Sequence, residues 1–102
     1  MTFTAGATPL AMQVELSKDS DFDWVLTNTS GNWAVGEVLE LHFNDAALTV
    51  WTATMAGAVA TFHIDKAPVN TLITAAPTYA TLVRVLGTTD TRWAQGGVTI
   101  NA

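Results

Sequence analysis

The stretch LTVWTATMAGAVATFHIDKAPVNTL, residues 48–72, decides the fold class, because it places two short strand patterns on either side of MAGA. In each pattern an apolar side chain recurs at every second position, which is typical of a half-buried strand. Trp51 lies on one face of the first run and Phe62 on one face of the second. Gly57 lies between them and tolerates the positive φ of a tight turn. The predicted hairpin strands are Thr49 to Met55 and Ala58 to Ile64.

The segment after the hairpin, DKAPVNTLITAA, is the one candidate for a helix. Asp65 is a suitable N-cap, and Pro68 is tolerated near the first turn. Several β-branched residues argue against a long helix. We therefore predict one or two helical turns that pack Leu72 over an open end of the core and carry the chain from one sheet to the other.

The same alternation recurs along the rest of the chain, with turns rich in Gly, Asn and Asp between the runs. One sheet alone could not cover its apolar face, so about seven short strands predict a two-sheet antiparallel β-sandwich of the Ig-like type. Gly96 and Gly97 predict a β-bulge in the last strand. The other predicted strands are an edge strand at Ala11 to Leu16, Phe22 to Thr27, Glu37 to Phe43, Thr78 to Leu86, and Trp93 to the C-terminus.

Length and composition indicate one domain over residues 1–102, with 49% hydrophobic and 13% charged residues. The first ten residues, MTFTAGATPL, are predicted to form an extended N-terminal arm. The sequence contains neither an apolar run long enough to span a membrane nor the pattern of a secretion signal. We expect a soluble protein that is not exported by that route.

The charge balance argues against nucleic acid as a partner. Four Lys and Arg residues stand against nine Asp and Glu residues, which gives a formal net charge of −5. Nucleic-acid binding draws most of its affinity from clustered cations that contact phosphates, whereas these four are far apart in sequence.

An aspartate run imitates the start of a calcium loop. Asp19, Asp21 and Asp23 occupy alternate positions, yet the position that needs glycine is Trp24, and the final acidic ligand is replaced by Ser30. A solvated turn that enters a strand is the better interpretation.

The remaining polar residues form no catalytic or metal motif. His42 and His63 could meet across neighbouring strands, but two ligands do not close a structural metal site. The serines lack a glycine elbow and a paired histidine and carboxylate. We expect no enzyme activity, no catalytic residue, no cofactor and no metal.

The candidates for a partner interface are Trp33, Phe3 and Leu10. Trp33 lies in a glycine-containing loop, where an exposed indole would mark an interface, although packing over the end of the sandwich is favoured. Phe3 and Leu10 belong to the N-terminal arm, which can add to the sheet of a neighbour.

The segments WTATMAGAVATFHI, VNTL, YATLVRV and WAQGGVTI, in this order, resemble small β-sandwich domains of tailed-bacteriophage virions. The likeness is to long-tail-fibre-associated and minor-tail domains of actinobacteriophages and, more remotely, to the N-terminal domain of upper baseplate proteins. It covers Glu37 to Ile100. The matching positions imply structural roles: Trp51, Phe62, Leu72, Tyr79, Leu82, Trp93, Gly96 and Val98.

The resemblance implies a non-enzymatic virion structural protein, assembled in the cytoplasm of a bacterial host and present in the particle as a homo-oligomer or in many copies. It would dock on other virion proteins of the tail or baseplate as a minor tail protein, or on the capsid surface as a decoration protein. The alternative is a carbohydrate- or ligand-binding sandwich that uses Trp33 and nearby acidic residues. A structural module should bury a protein interface, whereas a binding module should show an aromatic-floored groove.

Overall fold

The computed structural model describes residues 10–101, with the side chains from residue 11 onward. It confirms the predicted two-sheet sandwich and contains nine strands there instead of about seven, because two predicted strands are each divided in two. The elements are β1 Leu10–Ala11, β2 Val14–Ser17, β3 Phe22–Thr27, β4 Glu37–Phe43, β5 Val50–Thr52, β6 Thr54–Ala56, β7 Val59–Ile64, α1 Lys66–Ala75, β8 Tyr79–Leu86 and β9 Thr89–Asn101.

The larger sheet has the order β1-β9-β8-β4-β5, with β2 also paired to β9, and the smaller sheet has the order β3-β7-β6. Every pairing is antiparallel except those of β1 and β2, which run parallel to β9. The parallel edge is possible because β1 and β2 are separated from β9 by most of the chain, so no short hairpin fixes their direction.

The predicted strand Thr49 to Met55 belongs to both sheets. Trp51 pairs with Leu41 in the larger sheet, and Met55 pairs with Ala60 in the smaller one. The chain changes sheets at Ala53, which is 7% exposed and donates its N–H to the Leu39 carbonyl at 2.9 Å. Apolar and polar side chains alternate in the same way on either side of such a corner. The sequence therefore does not show that this run is divided into β5 and β6.

Helix α1 has ten residues and is longer than the predicted one or two turns. Val69 and Leu72 lie on the same face and are buried, and this burial outweighs the poor helix propensity of the β-branched residues. The helix carries the chain from β7 in the smaller sheet to β8 in the larger one, as predicted. Among residues 10–101, nothing helical has the length and apolar character that a bilayer span demands.

Five aromatic rings form a continuous contact path between the sheets. Phe43 and Trp51 of the larger sheet have ring centroids 4.8 Å apart, and Trp51 lies 5.3 Å from Phe22 of the smaller sheet. Phe22 then contacts Trp24 at 6.3 Å, and Trp24 stacks on the fully buried Phe62 at 5.8 Å. Trp51 is therefore the ring through which the two sheets contact each other in this path.

The β-bulge in β9 is not at the paired glycines, so that prediction was wrong. The register with β8 shifts between Leu82 and Val83, and Trp93 is the extra residue opposite this step. Trp93 and its neighbour Ala94 are both buried. The extra residue allows two consecutive side chains to face the core, which regular alternation forbids.

Gly96 has a different structural role. A Cβ atom there would lie 1.7 Å from the backbone oxygen of Met12, in the link between β1 and β2. A Cβ at Gly97 would have its nearest neighbour, the Thr78 oxygen, at 3.9 Å. The N-terminal strands can cover the edge of β9 at this point because residue 96 has no side chain.

We predict that Gly96→Ala lowers the free energy of unfolding by about 1 to 3 kcal/mol, because the Met12 backbone must move away. Gly97→Ala is the matched control and should change stability by less than about 0.5 kcal/mol. Urea unfolding of both variants measures the difference. Equal effects of the two substitutions would show that the N-terminal strands do not pack against Gly96.

Candidate functional site

Trp33 lies in the core. The residue is 8% exposed, its ring centroid is 5.6 Å from that of Trp93, and its backbone N–H donates to the Gly57 carbonyl at 3.0 Å. The prediction of an exposed Trp33 at an interface is therefore wrong. The favoured alternative, packing over the end of the sandwich, describes its position. The reason is the bulge at Trp93, which presents a second indole to receive it.

An ion pair between the buried Glu37 and the partly exposed Arg84 holds the Trp33 loop in place. The Nε atom of Arg84 donates to Glu37, and the other Glu37 oxygen accepts the Ala34 N–H at 2.8 Å. The Arg84 guanidinium also lies 5.8 Å from the Trp93 ring centroid. This pair was not predicted, although Glu37 occupies the inward face of its strand and a carboxylate there requires a polar partner.

Of the two interface candidates in the N-terminal arm, the structure describes one. Phe3 lies outside the described residues, as does the rest of the segment from 1 to 9. Leu10 lies in β1 and pairs with Ala94 of the same chain, so it belongs to the larger sheet and not to the predicted extended arm.

The other singled-out positions contribute mainly to the core. Tyr79 is the exception, since 39% of its side chain is exposed. Its backbone N–H is nevertheless fixed by the Asn44 side chain at 3.1 Å. The remaining side chains, Trp51, Phe62, Leu72 and Trp93, are all buried.

The aspartate run fastens β3 and its preceding turn to α1 and β7. Asp19 and Asn70 exchange two hydrogen bonds of 2.9 Å, and the Asp21 carboxylate accepts the Lys66 N–H at 2.8 Å. Asp65 occupies the predicted N-cap position, but its side chain forms no capping bond, and the Asp21 carboxylate supplies that bond instead. The aspartates at alternate positions, which resemble the start of a calcium loop, therefore make structural contacts within the fold.

His42 and His63 do not meet. His42 is on β4 of the larger sheet, whereas His63 is on β7 of the smaller sheet. Among residues 10–101, the cluster that could supply metal ligands is Asp21, His63 and Asp65, whose ligand atoms lie within 4.8 Å of one another. All three side chains are exposed, and Asp21 already accepts the helix N–H.

Asp23 controls the charge of His63. The two residues face each other across β3 and β7, and the Nδ1 atom of His63 hydrogen-bonds to the Asp23 carboxylate. This hydrogen bond and the negative charge of Asp23 raise the pKa of His63 above its ordinary value of 6.5, with further help from Asp21 and Asp65. The protonated imidazolium is therefore favoured in the folded state.

A raised folded-state pKa predicts that the His63 contribution to stability is fully present below pH 6.5 and is lost as the pH rises through the folded-state pKa. Replacing His63 by Gln, or Asp23 by Asn, should flatten this part of the stability curve. Asp90→Asn, on another hairpin, should retain it. Chemical denaturation between about pH 5.5 and 8.5, the range in which histidine titrates, measures how the free energy of unfolding changes with pH. If both variants retain the wild-type slope, the His63–Asp23 interaction is not its cause.

A groove with a volume of about 410 Å³ lies between β2 and β3, the edge strands of the two sheets. Val14, Phe22 and Trp24 supply its apolar part, while Gln13 and Glu15 add polar groups on the β2 side. Phe22 and Trp24 are half-buried, so their rings are incompletely covered here. The groove is the aromatic-lined depression that the described part of the chain offers a ligand.

The outer edge of β3 offers free backbone groups beside this groove. Asn28 donates its N–H to the opposite Ala58 carbonyl at 2.8 Å, which fixes the alternation of the β3–β7 ladder. The N–H and C=O groups of Asp23, Val25 and Thr27 consequently point away from β7. No strand within residues 10–101 pairs with this side of β3. We refer to these three residues as the open edge.

Residues 10–101 thus form a small two-sheet β-sandwich in which β3 is an edge strand of the smaller sheet and lies beside an aromatic-lined groove. The chain belongs to the LtfC-like β-sandwich domain family, whose profile matches residues 8–101. This membership confirms the resemblance to phage long-tail-fibre-associated sandwich domains and associates the chain with the virion.

No curated protein matches the chain. Among solved structures, the crystal structure of an uncharacterized protein from Bacillus anthracis str. Ames is similar at 12% sequence identity with a TM-score of 0.41. The alignment covers 89% of this chain and 84% of that chain.

Proposed function

We propose that the protein is a non-enzymatic structural module of a bacteriophage tail, which docks in many copies on other virion proteins of the tail or baseplate. The observation that carries the proposal is the family match over residues 8–101, which includes every described strand and the helix. Because the family is that of a tail-fibre-associated domain, it supports a tail location over decoration of the capsid.

The open edge supports docking through protein contacts. An unpaired strand edge is a template for another strand, and main-chain hydrogen bonds then supply the affinity. Three carboxylates of the kind that catalysis uses have structural partners instead: Asp19 binds Asn70, Asp21 caps α1 and Glu37 binds Arg84. These contacts favour a structural role over catalysis.

Carbohydrate or ligand binding is the second candidate, because the groove has an aromatic lining and acidic neighbours. The site would use Trp24 with Asp21 and Asp23, all of which line the groove. Trp33, the residue first considered for this role, is buried on Trp93 and does not line it.

A protein inventory of purified phage particles tests the tail proposal. Particles of the phage that encodes the chain are disrupted, heads and tails are separated, and each fraction is quantified by mass spectrometry. The major capsid and major tail proteins serve as fraction markers. We expect the chain in the tail fraction with several copies per particle.

Two outcomes would contradict this proposal. Recovery with the heads would favour a decoration protein, and absence from intact particles would reject a structural role. In the second case, a glycan-binding screen of the purified protein, with Trp24→Ala as the groove variant, would test the ligand-binding candidate.

A further inference from the structure

We propose that residues 1–9 of one copy of this chain bind as an added strand along the open edge of a second copy. The proposal names a docking partner for the proposed function, but it does not depend on the tail location. It rests on the geometry of β3, the groove beside it, the composition of the segment and the place where that segment joins the fold.

The acceptor is the backbone of β3. Asp23, Val25 and Thr27 direct their N–H and C=O groups outward, at intervals that match the ladder of an incoming strand. Val25 is 58% exposed, which is high for an apolar side chain of a strand. The corresponding edge of β9 is instead covered by β1 and β2.

The groove can take an apolar side chain from that strand. Phe22 and Trp24 face the core from β3 but remain half-buried, and Val14 lies on the other side of the groove. A strand added beside β3 would place every second side chain over these rings. In the segment MTFTAGATP, Phe3 lies between two threonines, so a strand would present Phe3 on one face and hydroxyl groups on the other.

Charge favours this segment as the occupant. Glu15, Asp21 and Asp23 line the groove, and the chain as a whole carries a net charge of −5. An acidic strand would be repelled there. Residues 1–9 contain no ionisable side chain, so they can approach the carboxylates without repulsion.

The direction of β1 favours binding of residues 1–9 to the open edge of a second copy over binding to the open edge of the same copy. Strand β1 runs parallel to β9 and places Leu10 beside Ala94. Strand β2 and the groove lie farther along β9, toward Asn101. Leu10, to which residues 1–9 are joined, therefore lies away from the groove of its own copy. Nine extended residues reach about 30 Å, which is comparable to the 37 Å long axis of the fold.

Such a contact is head-to-tail, since the segment of each copy binds the edge of the next. Repetition of a heterologous contact builds a ring or a linear array. The proposal thus accounts for a many-copy assembly without any additional interface.

Sedimentation velocity of the purified full chain over a concentration series tests the proposal. Phe3→Asp disables the donor segment. Val25→Pro disables the acceptor, because it removes an outward N–H and leaves the β3–β7 hydrogen bonds intact. Val25→Thr keeps that N–H and is the matched control. Circular dichroism melting checks that each variant folds, and Thr27→Pro, which removes another outward N–H, replaces Val25→Pro if the latter does not fold.

We expect the wild type and Val25→Thr to associate as concentration rises, and each disabled variant alone to remain monomeric. A mixture of Phe3→Asp and Val25→Pro should form dimers and stop there, because one variant retains an edge and the other retains a donor segment. This complementation is specific to a head-to-tail contact.

Three outcomes would overturn the proposal. A monomeric wild type at all concentrations would exclude the contact, while leaving the tail location to the particle inventory. Association of Phe3→Asp but not of Val25→Pro would identify direct pairing between two β3 edges instead. Association of both variants alone would place the interface elsewhere on the molecule.

Discussion

The contact of Trp51 with Phe22 is the interaction on which the sandwich depends. Trp51 belongs to β5 of the larger sheet and packs on Phe43 there, while Phe22 belongs to the smaller sheet. Two residues after Trp51 the chain changes sheets at Ala53. The same short run therefore joins the sheets covalently and packs them together through aromatic contacts.

Features that repeat locally were predictable from the sequence, and features that depend on distant residues were not. Alternation located the strands, and Leu72 marked the buried face of the helix. The burial of Trp33 depends on a bulge sixty residues away at Trp93, and the Glu37–Arg84 pair spans 47 positions. Likewise, the sequence placed the aspartates in a turn, but their helix and histidine partners come from the tertiary fold.

The β9 edge of the larger sheet and the β3 edge of the smaller sheet differ in their covering, and this difference directs the functional interpretation. The edge of β9 is covered by the chain's own N-terminal strands, for which Gly96 leaves room. The edge of β3 is flanked by carboxylates and has no strand beside it within residues 10–101. Proteins usually protect such edges against unwanted pairing, so an edge next to an aromatic groove suits a specific strand from a partner.

Residue-resolved amide hydrogen exchange of the full chain tests this account most directly, because it reports which backbone groups are paired. In dilute protein we expect rapid exchange at Val25 and slow exchange at its neighbours Trp24 and Leu26, whose N–H groups point to β7. In concentrated protein Val25 should become protected as well. Protection of Val25 in dilute protein, or its rapid exchange at every concentration, would contradict an edge that is open in one copy and closed by the next.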